Sequence, residues 1–127
     1  MFQIDVMSRT PVYEQLVEQV ERFILKGILK SGDKMPSVRA MSMELSVNPN
    51  TIQKAVSELD RKGLIYSVPG KGCFISEQSM KALSIQKRSE LDGVREQLRE
   101  LALAGITKEE MIKCIEDIYQ EEGNGHD

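Results

Sequence analysis

The sequence predicts an α+β fold, with a head of three helices and a two-stranded β-ribbon followed by a short all-α tail of two helices. Three observations lead to this prediction. Apolar residues recur at helical spacing in three segments before residue 63, a short β-rich stretch with a Pro-Gly turn follows, and helical spacing resumes after residue 90. We place the head domain at residues 1–78 and the tail at residues 79–127.

The first two helices are predicted from their start signals and apolar stripes. Thr10 can cap the first helix, Pro11 suits its first position, and Gly27 marks its approximate end. Its apolar stripe consists of Val12, Leu16, Val20, Phe23, Ile24 and Ile28. A turn at Ser46 ends the second helix, which Ser37 can cap and whose apolar face holds Val38, Met41 and Leu45.

The third helix is the most clearly marked element. Asn48 can cap it, Pro49 suits its first position, and Gly63 is expected to end it. The spacing i, i+3, i+4, i+7 predicts a buried stripe of Ile52, Ala55, Val56 and Leu59. Because successive helical residues lie about 100° apart, the opposite face, flanked by Gln53, should expose Asn50, Lys54, Ser57 and Arg61.

A β-ribbon is predicted after the third helix, with strands at residues 64–68 and 73–75. Pro69-Gly70 fits the central pair of a type II turn, because Pro supplies the fixed φ and Gly the positive one. The tip of the ribbon, Gly70-Lys71-Gly72, combines a base with glycines that would let the backbone approach another molecule closely.

Charge is unevenly distributed along the chain, whose formal net charge is −3. Residues 34–72 hold six Lys and Arg against three Asp and Glu, whereas residues 79–127 hold seven against eleven. A polar helix start and a basic glycine turn can together read base edges and grip phosphates. DNA binding requires a local basic patch more than a basic protein. The head is therefore predicted to be a winged helix-turn-helix that binds double-stranded DNA.

The tail carries two apolar stripes that suit dimerisation. The first is an a/d-like seam of Leu91, Val94, Leu98 and Leu101. Gly105 breaks that helix, and Thr107 with Glu110 forms a capping box for the last one. The second stripe consists of Met111, Ile115 and Ile118. We expect a helical hairpin that packs against a second copy across a two-fold axis, giving a homodimer.

Several function classes find no support in the sequence. No apolar run approaches the length of a membrane span, and the first residues do not resemble a signal peptide, so we expect a cytoplasmic protein without membrane contact. Cys73 and Cys114 have no metal-site spacing, and we assign no role to His126. No nucleophile elbow, P-loop or metal cluster is present. We expect no enzyme activity, no cofactor and no metal.

The head resembles the DNA-binding domain of GntR-type bacterial transcription regulators over most of residues 2–76. The matching segments are Pro36-Ser37-Val38-Arg39, Val47-Asn48-Pro49-Asn50-Thr51, Leu59, Gly63-Leu64-Ile65 and Gly70-Lys71-Gly72-Cys73-Phe74. The short tail, Ile4-Asp5 and Pro11-Val12-Tyr13-Glu14-Gln15 are similar to the YtrA-like subfamily. One departure is Ser46, at a turn position where the family often has Gly.

The resemblance implies a set of DNA-binding residues in the head. Arg39 matches a family arginine that contacts DNA, whereas Arg61 and Lys62 are interpreted as a solvated face. The predicted contact set is Ser37, Arg39, Asn48, Pro49, Asn50, Thr51, Gln53, Lys54, Gly70, Lys71 and Gly72. The sequence leaves open which of them contact bases and which contact phosphates.

The resemblance also implies a repressor of its own operon, often one that encodes ABC transporter components. As a homodimer it would bind a palindromic operator, with one recognition helix in each of two major grooves. The alternative is a winged helix used for protein-protein contact in a larger assembly. The operator sequence, the target genes and any small-molecule effector stay open.

Overall fold

The computed structural model of the protein describes residues 1–125 and divides the chain into two compact units, Met1–Ile85 and Gln86–Asp127. The first unit contains α1 (Val12–Leu25), α2 (Val38–Leu45), α3 (Pro49–Arg61), β1 (Ile65–Val68), β2 (Gly72–Ile75) and most of α4 (Ser79–Arg88). The second contains α5 (Leu91–Leu103) and α6 (Lys108–Gly125). His126 lies outside the described residues.

The head is built around the predicted apolar face of α3. Ile52, Ala55, Val56 and Leu59 are all buried, as the spacing predicted. Side chains from α1, α2, the two strands and α4 complete this core, and the most deeply buried of them include Val20, Leu64, Ile75 and Leu83. The fold is therefore the predicted α+β winged helix-turn-helix, followed by helices.

The predicted N-terminal caps of α2 and α3 are present in the structure. The Ser37 hydroxyl oxygen accepts a hydrogen bond from the Ala40 amide at 3.0 Å. The Asn48 side-chain oxygen accepts one from the Asn50 amide at 2.8 Å. Each bond satisfies one of the amides that the first turn of a helix leaves without a partner. Both predicted caps are confirmed.

The predicted cap of α1 was wrong, whereas its predicted end near Gly27 is confirmed. Pro11 rather than Thr10 occupies the cap position, and no side chain caps the helix. The Thr10 carbonyl instead accepts a hydrogen bond from the Gln15 side-chain amide at 2.8 Å. At the other end Gly27 has a φ of +77°, which turns the chain out of the helix, so Ile28 lies beyond α1 and is exposed.

Helix α4 was missed by the sequence prediction, which placed only two helices after residue 78. It begins at Ser79, and its Leu83 is fully buried in the first unit. The segment is short and carries few apolar residues, so its periodicity is weak and its burial depends on the head that it contacts. The first unit accordingly extends to Ile85, seven residues beyond the predicted limit of the head.

An N-terminal strap, residues 1–10, lies along α1 without regular secondary structure. Phe2 is buried, with its ring centroid 5.6 Å from that of Phe23. Side-chain oxygens of α1 replace strand pairing: Gln19 accepts from the Gln3 amide and Gln15 from the Asp5 amide, each at 2.9 Å. These two bonds satisfy backbone amides of a segment that no sheet pairs.

The second unit has helices but no core of its own. The predicted capping box is present, with Thr107 and Glu110 each accepting a hydrogen bond from the other's backbone amide. No side chain described between residues 86 and 123 is buried. Met111 is half-buried, and the exposed members of the two predicted stripes are Leu91, Val94, Leu98, Leu101, Ile115 and Ile118. Helices α5 and α6 therefore do not cover each other's apolar faces.

Candidate nucleic-acid interface

The start of α3 forms a polar, exposed surface on a helix whose other side is fixed in the core. Asn48, Pro49, Asn50, Gln53 and Lys54 are exposed, and Thr51 is half-buried. The Gln53 side-chain amide lies 3.4 Å from the Ser57 hydroxyl one turn along the helix. Because the opposite stripe is buried, the helix cannot rotate, and these side chains are held facing outwards.

Helix α2 contributes two predicted contact residues at its first turn. Arg39 is exposed and forms no ion pair with any residue described in the structure. The Ser37 oxygen accepts the capping bond from Ala40, which leaves its hydroxyl hydrogen free to donate to an anion. The guanidinium of Arg39 presents five donors in a rigid fork, which suits either a phosphate or a guanine edge.

The turn between α2 and α3 takes the shape that Gly adopts most easily, although Ser46 occupies it. Ser46 has a φ of +55° and ψ of 45°, a left-handed conformation. It is the one residue other than Gly with positive φ among the residues described. The Val47 amide donates to the Ser42 carbonyl at 3.1 Å and stabilises the turn. Ser at this position keeps the turn but adds backbone strain.

The ribbon β1–β2 forms the predicted wing. Its strands pair antiparallel, with Ile65 opposite Ile75 and Val68 opposite Gly72. The Lys71 amide donates to the Val68 carbonyl at 2.9 Å, and Gly70 has a φ of +77°. Since proline cannot take a positive φ at the first central position, this is the predicted type II turn. It leaves Lys71 exposed at the tip.

Lys34 belongs to the wing, which the sequence prediction did not recognise. It forms a bridge opposite Phe74, and the neighbouring Met35 amide donates to the Cys73 carbonyl at 2.8 Å. A Cβ at Gly72 would lie only 3.1 Å from Cε of Lys34, so the lysine side chain passes over this glycine. Only the pairing of a distant segment with β2 places Lys34 here, and no local sequence signal indicates it.

Two of the six bases between residues 34 and 72 are neutralised by carboxylates. Arg61 binds Glu58, and its Nε lies 3.1 Å from the carboxylate. This bond lowers the pKa of Glu58 and raises the pKa of Arg61. Lys62 Nζ lies 3.2 Å from the carboxylate of the buried Glu21. The interpretation of Lys62 as solvated was therefore wrong, because it links α3 to α1 in a partly buried ion pair.

The other four bases of this segment have no carboxylate within ion-pair distance in the part of the chain that the structure describes: Lys34, Arg39, Lys54 and Lys71. Lys54 has a different partner, since its Nζ lies 4.0 Å from the centroid of the Tyr13 ring. The Tyr13 hydroxyl donates to Glu14, which raises the pKa of this tyrosine and keeps it neutral. The positive charge available to a ligand is thus concentrated on α2, α3 and the wing.

Metal-ligand groups, disulfides and membrane-spanning helices are also absent from the residues that the structure describes. Among residues 1–125, no group of three or more His, Cys, Asp or Glu could hold a metal ion. Cys73 and Cys114 are both free. Within the same residues, no helix is long and apolar enough to cross a membrane.

Comparison with known proteins identifies the head. Residues 12–75 match the family model for bacterial regulatory proteins of the gntR family. The HTH-type transcriptional repressor YtrA of Bacillus subtilis is 41% identical over 93% of this chain and 92% of its own length.

Solved structures agree with that match. The crystal structure of a transcriptional regulator from Oenococcus oeni aligns over 94% of this chain and 99% of its own, with a TM-score of 0.73 and 29% identity. The DNA-binding domain of AraR, crystallised in complex with operator ORE1, aligns over 60% of this chain and 93% of its own, with a TM-score of 0.51 and 29% identity.

Proposed function

Because the chain belongs to the GntR family of bacterial regulatory proteins, we propose that it is a transcriptional repressor that binds a palindromic operator as a homodimer. The observation that carries this proposal is the arrangement of α3. Its apolar stripe is buried in the core, while its polar start is capped and exposed. The bases on α2, α3 and the wing that have no carboxylate partner among the described residues add positive charge to this surface. Such a helix is suited to enter the major groove.

The contact residues of the head divide into two roles in this proposal. Arg39, Asn50 and Gln53 carry the donors and acceptors that read base edges in the major groove. Lys54 and Lys71 bind phosphates, and the bare backbone of Gly70 lets the wing approach the sugar-phosphate wall, while Gly72 leaves room for the Lys34 side chain beside it. The remaining residues, which shape or flank the helix starts, are Ser37, Asn48, Pro49 and Thr51.

The tail supplies the second half of the proposal. Apart from the half-buried Met111, its two apolar stripes are exposed in the single chain. A second copy of the chain would cover both stripes at once, and its two-fold symmetry would match a palindromic operator. The further expectation that the repressed operon is the protein's own, with ABC transporter genes, rests on the resemblance to the YtrA-like subfamily.

A winged helix used for protein-protein contact is the competing function. Such a module would expose an apolar or acidic face on α3. The residues exposed at the start of α3 are instead polar or basic. Of its two acids, Glu58 is bound by Arg61, and Asp60 lies at the other end of the helix. This composition favours a polyanionic partner.

The decisive experiment is a salt titration of binding to DNA from upstream of the protein's own gene. If the dimer contacts about 6–10 phosphates, affinity should fall roughly 10³–10⁵-fold between 50 and 200 mM salt. A random duplex of equal length is the control for specificity. Binding that does not change with salt, or equal affinity for both duplexes, would favour the protein-protein alternative.

Two variants distinguish residues that contact base edges from residues that contact phosphates. Arg39→Ala should weaken operator binding by about 1–3 kcal/mol and leave random DNA less affected, if Arg39 contacts a base edge. Lys71→Ala should weaken binding to both duplexes alike, because phosphates carry no sequence information. Each variant should keep the wild-type melting temperature, since both side chains are exposed.

A further inference from the structure

The three bases of the α3 region are held in two different ways. Arg61 and Lys62 are bound by carboxylates, Glu58 and Glu21. Lys54 instead reaches α1, where its Nζ lies 4.0 Å from the centroid of the Tyr13 ring. The kind of partner determines how readily each cation can bind a phosphate.

A carboxylate and an aromatic ring affect a lysine differently. A carboxylate neutralises the cation and must be displaced before a phosphate can bind. An aromatic face attracts the cation through its quadrupole but carries no net charge, so the lysine keeps its full charge. It also restricts a side chain that otherwise has large rotamer entropy to lose on binding. A lysine held by an aromatic ring can therefore bind a phosphate without displacing a carboxylate and with less loss of side-chain entropy.

The Tyr13 ring is itself held in place. It is half-buried and packs against the core of the head from the first turn of α1. Its hydroxyl donates to Glu14 at 3.1 Å. Glu58 is the nearest acid along α3, and the charge of Lys54 contributes to lowering its pKa, but Glu58 directs its hydrogen bonds to Arg61. The ring is thus a fixed support, and the nearby carboxylates have other partners.

We propose that Tyr13 is a positioning residue for DNA binding, whose ring holds the Lys54 ammonium extended and charged for a backbone phosphate. The inference rests on the proposed function, since it names how one phosphate contact is prepared. Its distinguishing feature is that the aromatic face, and not the hydroxyl, does the positioning. Tyr13→Phe should then behave as wild type, whereas Tyr13→Leu should not.

The test is a double-mutant cycle on random DNA, with affinities compared at low salt and the salt slope taken from a salt titration of each variant. Lys54→Ala should reduce the salt slope by about 1. Tyr13→Leu should weaken binding about two- to fivefold when Lys54 is present, and should have no effect in the Lys54→Ala background. Tyr13→Phe should bind like wild type. The matched control is Glu58→Gln with Arg61→Gln, which removes a neutral ion pair from the same helix and should leave affinity unchanged.

A second measurement tests the geometry without DNA. In the NMR spectrum of the free protein, the ε-protons of Lys54 should be shifted upfield by the ring, relative to those of Lys71, in wild type and Tyr13→Phe. Tyr13→Met, a variant that retains apolar bulk, should abolish that shift and serves as the second test if Tyr13→Leu does not fold.

The outcomes separate the two proposals. A wild-type protein that does not bind DNA overturns both. Normal wild-type binding with additive Tyr13→Leu and Lys54→Ala effects overturns the positioning role alone, and so does a Tyr13→Phe protein as weak as Tyr13→Leu. Unshifted Lys54 ε-protons in the wild type would likewise contradict it.

Discussion

The head and the tail differ in where their apolar residues find partners. In the head, the stripes of α1, α2 and α3 meet one another, and residues such as Ile52 and Leu64 are completely buried. In the tail, Leu98 is 36% exposed and Ile118 is 51% exposed, although both lie on regular helices. The same helical periodicity therefore encodes an internal core in one unit and an uncovered surface in the other.

If the chain dimerises as proposed, this difference predicts that the stability of the second unit, and not that of the first, depends on protein concentration. A head that buries its own stripes is stabilised within one chain. The second unit has no buried side chain described between residues 86 and 123, and in the proposed dimer a second copy would supply the surface that stabilises it. The tests below address this distinction, beginning with the largest expected effect.

Leu98→Asp should disrupt the dimer while leaving the head folded. It would bury a carboxylate without a partner in the proposed seam, which is costly. Because a monomer holds only one half-site at a time, operator affinity should fall roughly 10²–10⁴-fold. Sedimentation measures the mass and an operator titration the affinity. Leu103→Asp is the control, since Leu103 lies on the same helix at 77% exposure, outside the seam; a Leu98→Asp dimer would place the interface elsewhere.

Leu59→Ala should destabilise the head within a single chain. Leu59 is 2% exposed, and removing a buried leucine side chain costs about 2–5 kcal/mol. Urea denaturation should give this loss at every protein concentration, in contrast to the tail variant. Ser57→Ala, an exposed position on the same helix, should stay within about 0.5 kcal/mol of wild type. A loss that disappears at high protein concentration would mean that the head also relies on dimerisation.

Lys62→Met should lower stability by about 1–3 kcal/mol, because it removes a charged hydrogen bond to the buried Glu21. DNA affinity should change little, since this cation is already neutralised. Arg39→Ala gives the opposite pattern, with lost affinity and unchanged stability. Thermal melts and DNA titrations on both variants make the comparison. If Lys62→Met lost affinity without losing stability, the division between structural and DNA-binding cations would be wrong.

Ser46→Gly should give the smallest effect and in the opposite direction. A residue with a side chain pays roughly 1–2 kcal/mol in the left-handed region, partly offset by the greater flexibility of Gly in the unfolded chain. The head should gain about 0.5–1 kcal/mol of stability. Urea denaturation measures it, with Ser42→Gly inside α2 as a destabilising control. An unchanged or reduced stability would mean that Ser46 makes contacts that compensate for its backbone conformation.

The predicted elements of the head came from signals that act over a few residues. The Ser37 and Asn48 caps, the buried stripe of α3 and the Pro69-Gly70 turn each depend on neighbours within about one turn of chain, so the sequence displays them directly. The candidate DNA surface was found for the same reason, since the exposed start of α3 follows from its capped beginning and its buried face.

The errors had two causes. At the ends of α1, the Gln15 side-chain amide donates to the Thr10 carbonyl, and Gly27 turns the chain out of the helix before Ile28. Helix α4 was missed because its periodicity is weak and its burial depends on packing against the head. The role of Phe2 in the core and the place of Lys34 on the wing also depend on segments far away in the chain. These long-range contacts leave no periodic pattern in the sequence, so sequence analysis could not predict them.

The sequence by itself therefore determined every helix except α4, together with the wing turn and the residues that face outwards on α3. The tertiary structure decided which of the bases have a carboxylate partner and which do not. Lys62 lies 41 residues from its partner Glu21, and Lys54 lies on a different helix from Tyr13. Helical periodicity fixes the direction of a side chain, but its interaction partner and its freedom to move depend on whichever group folding brings within a few ångströms.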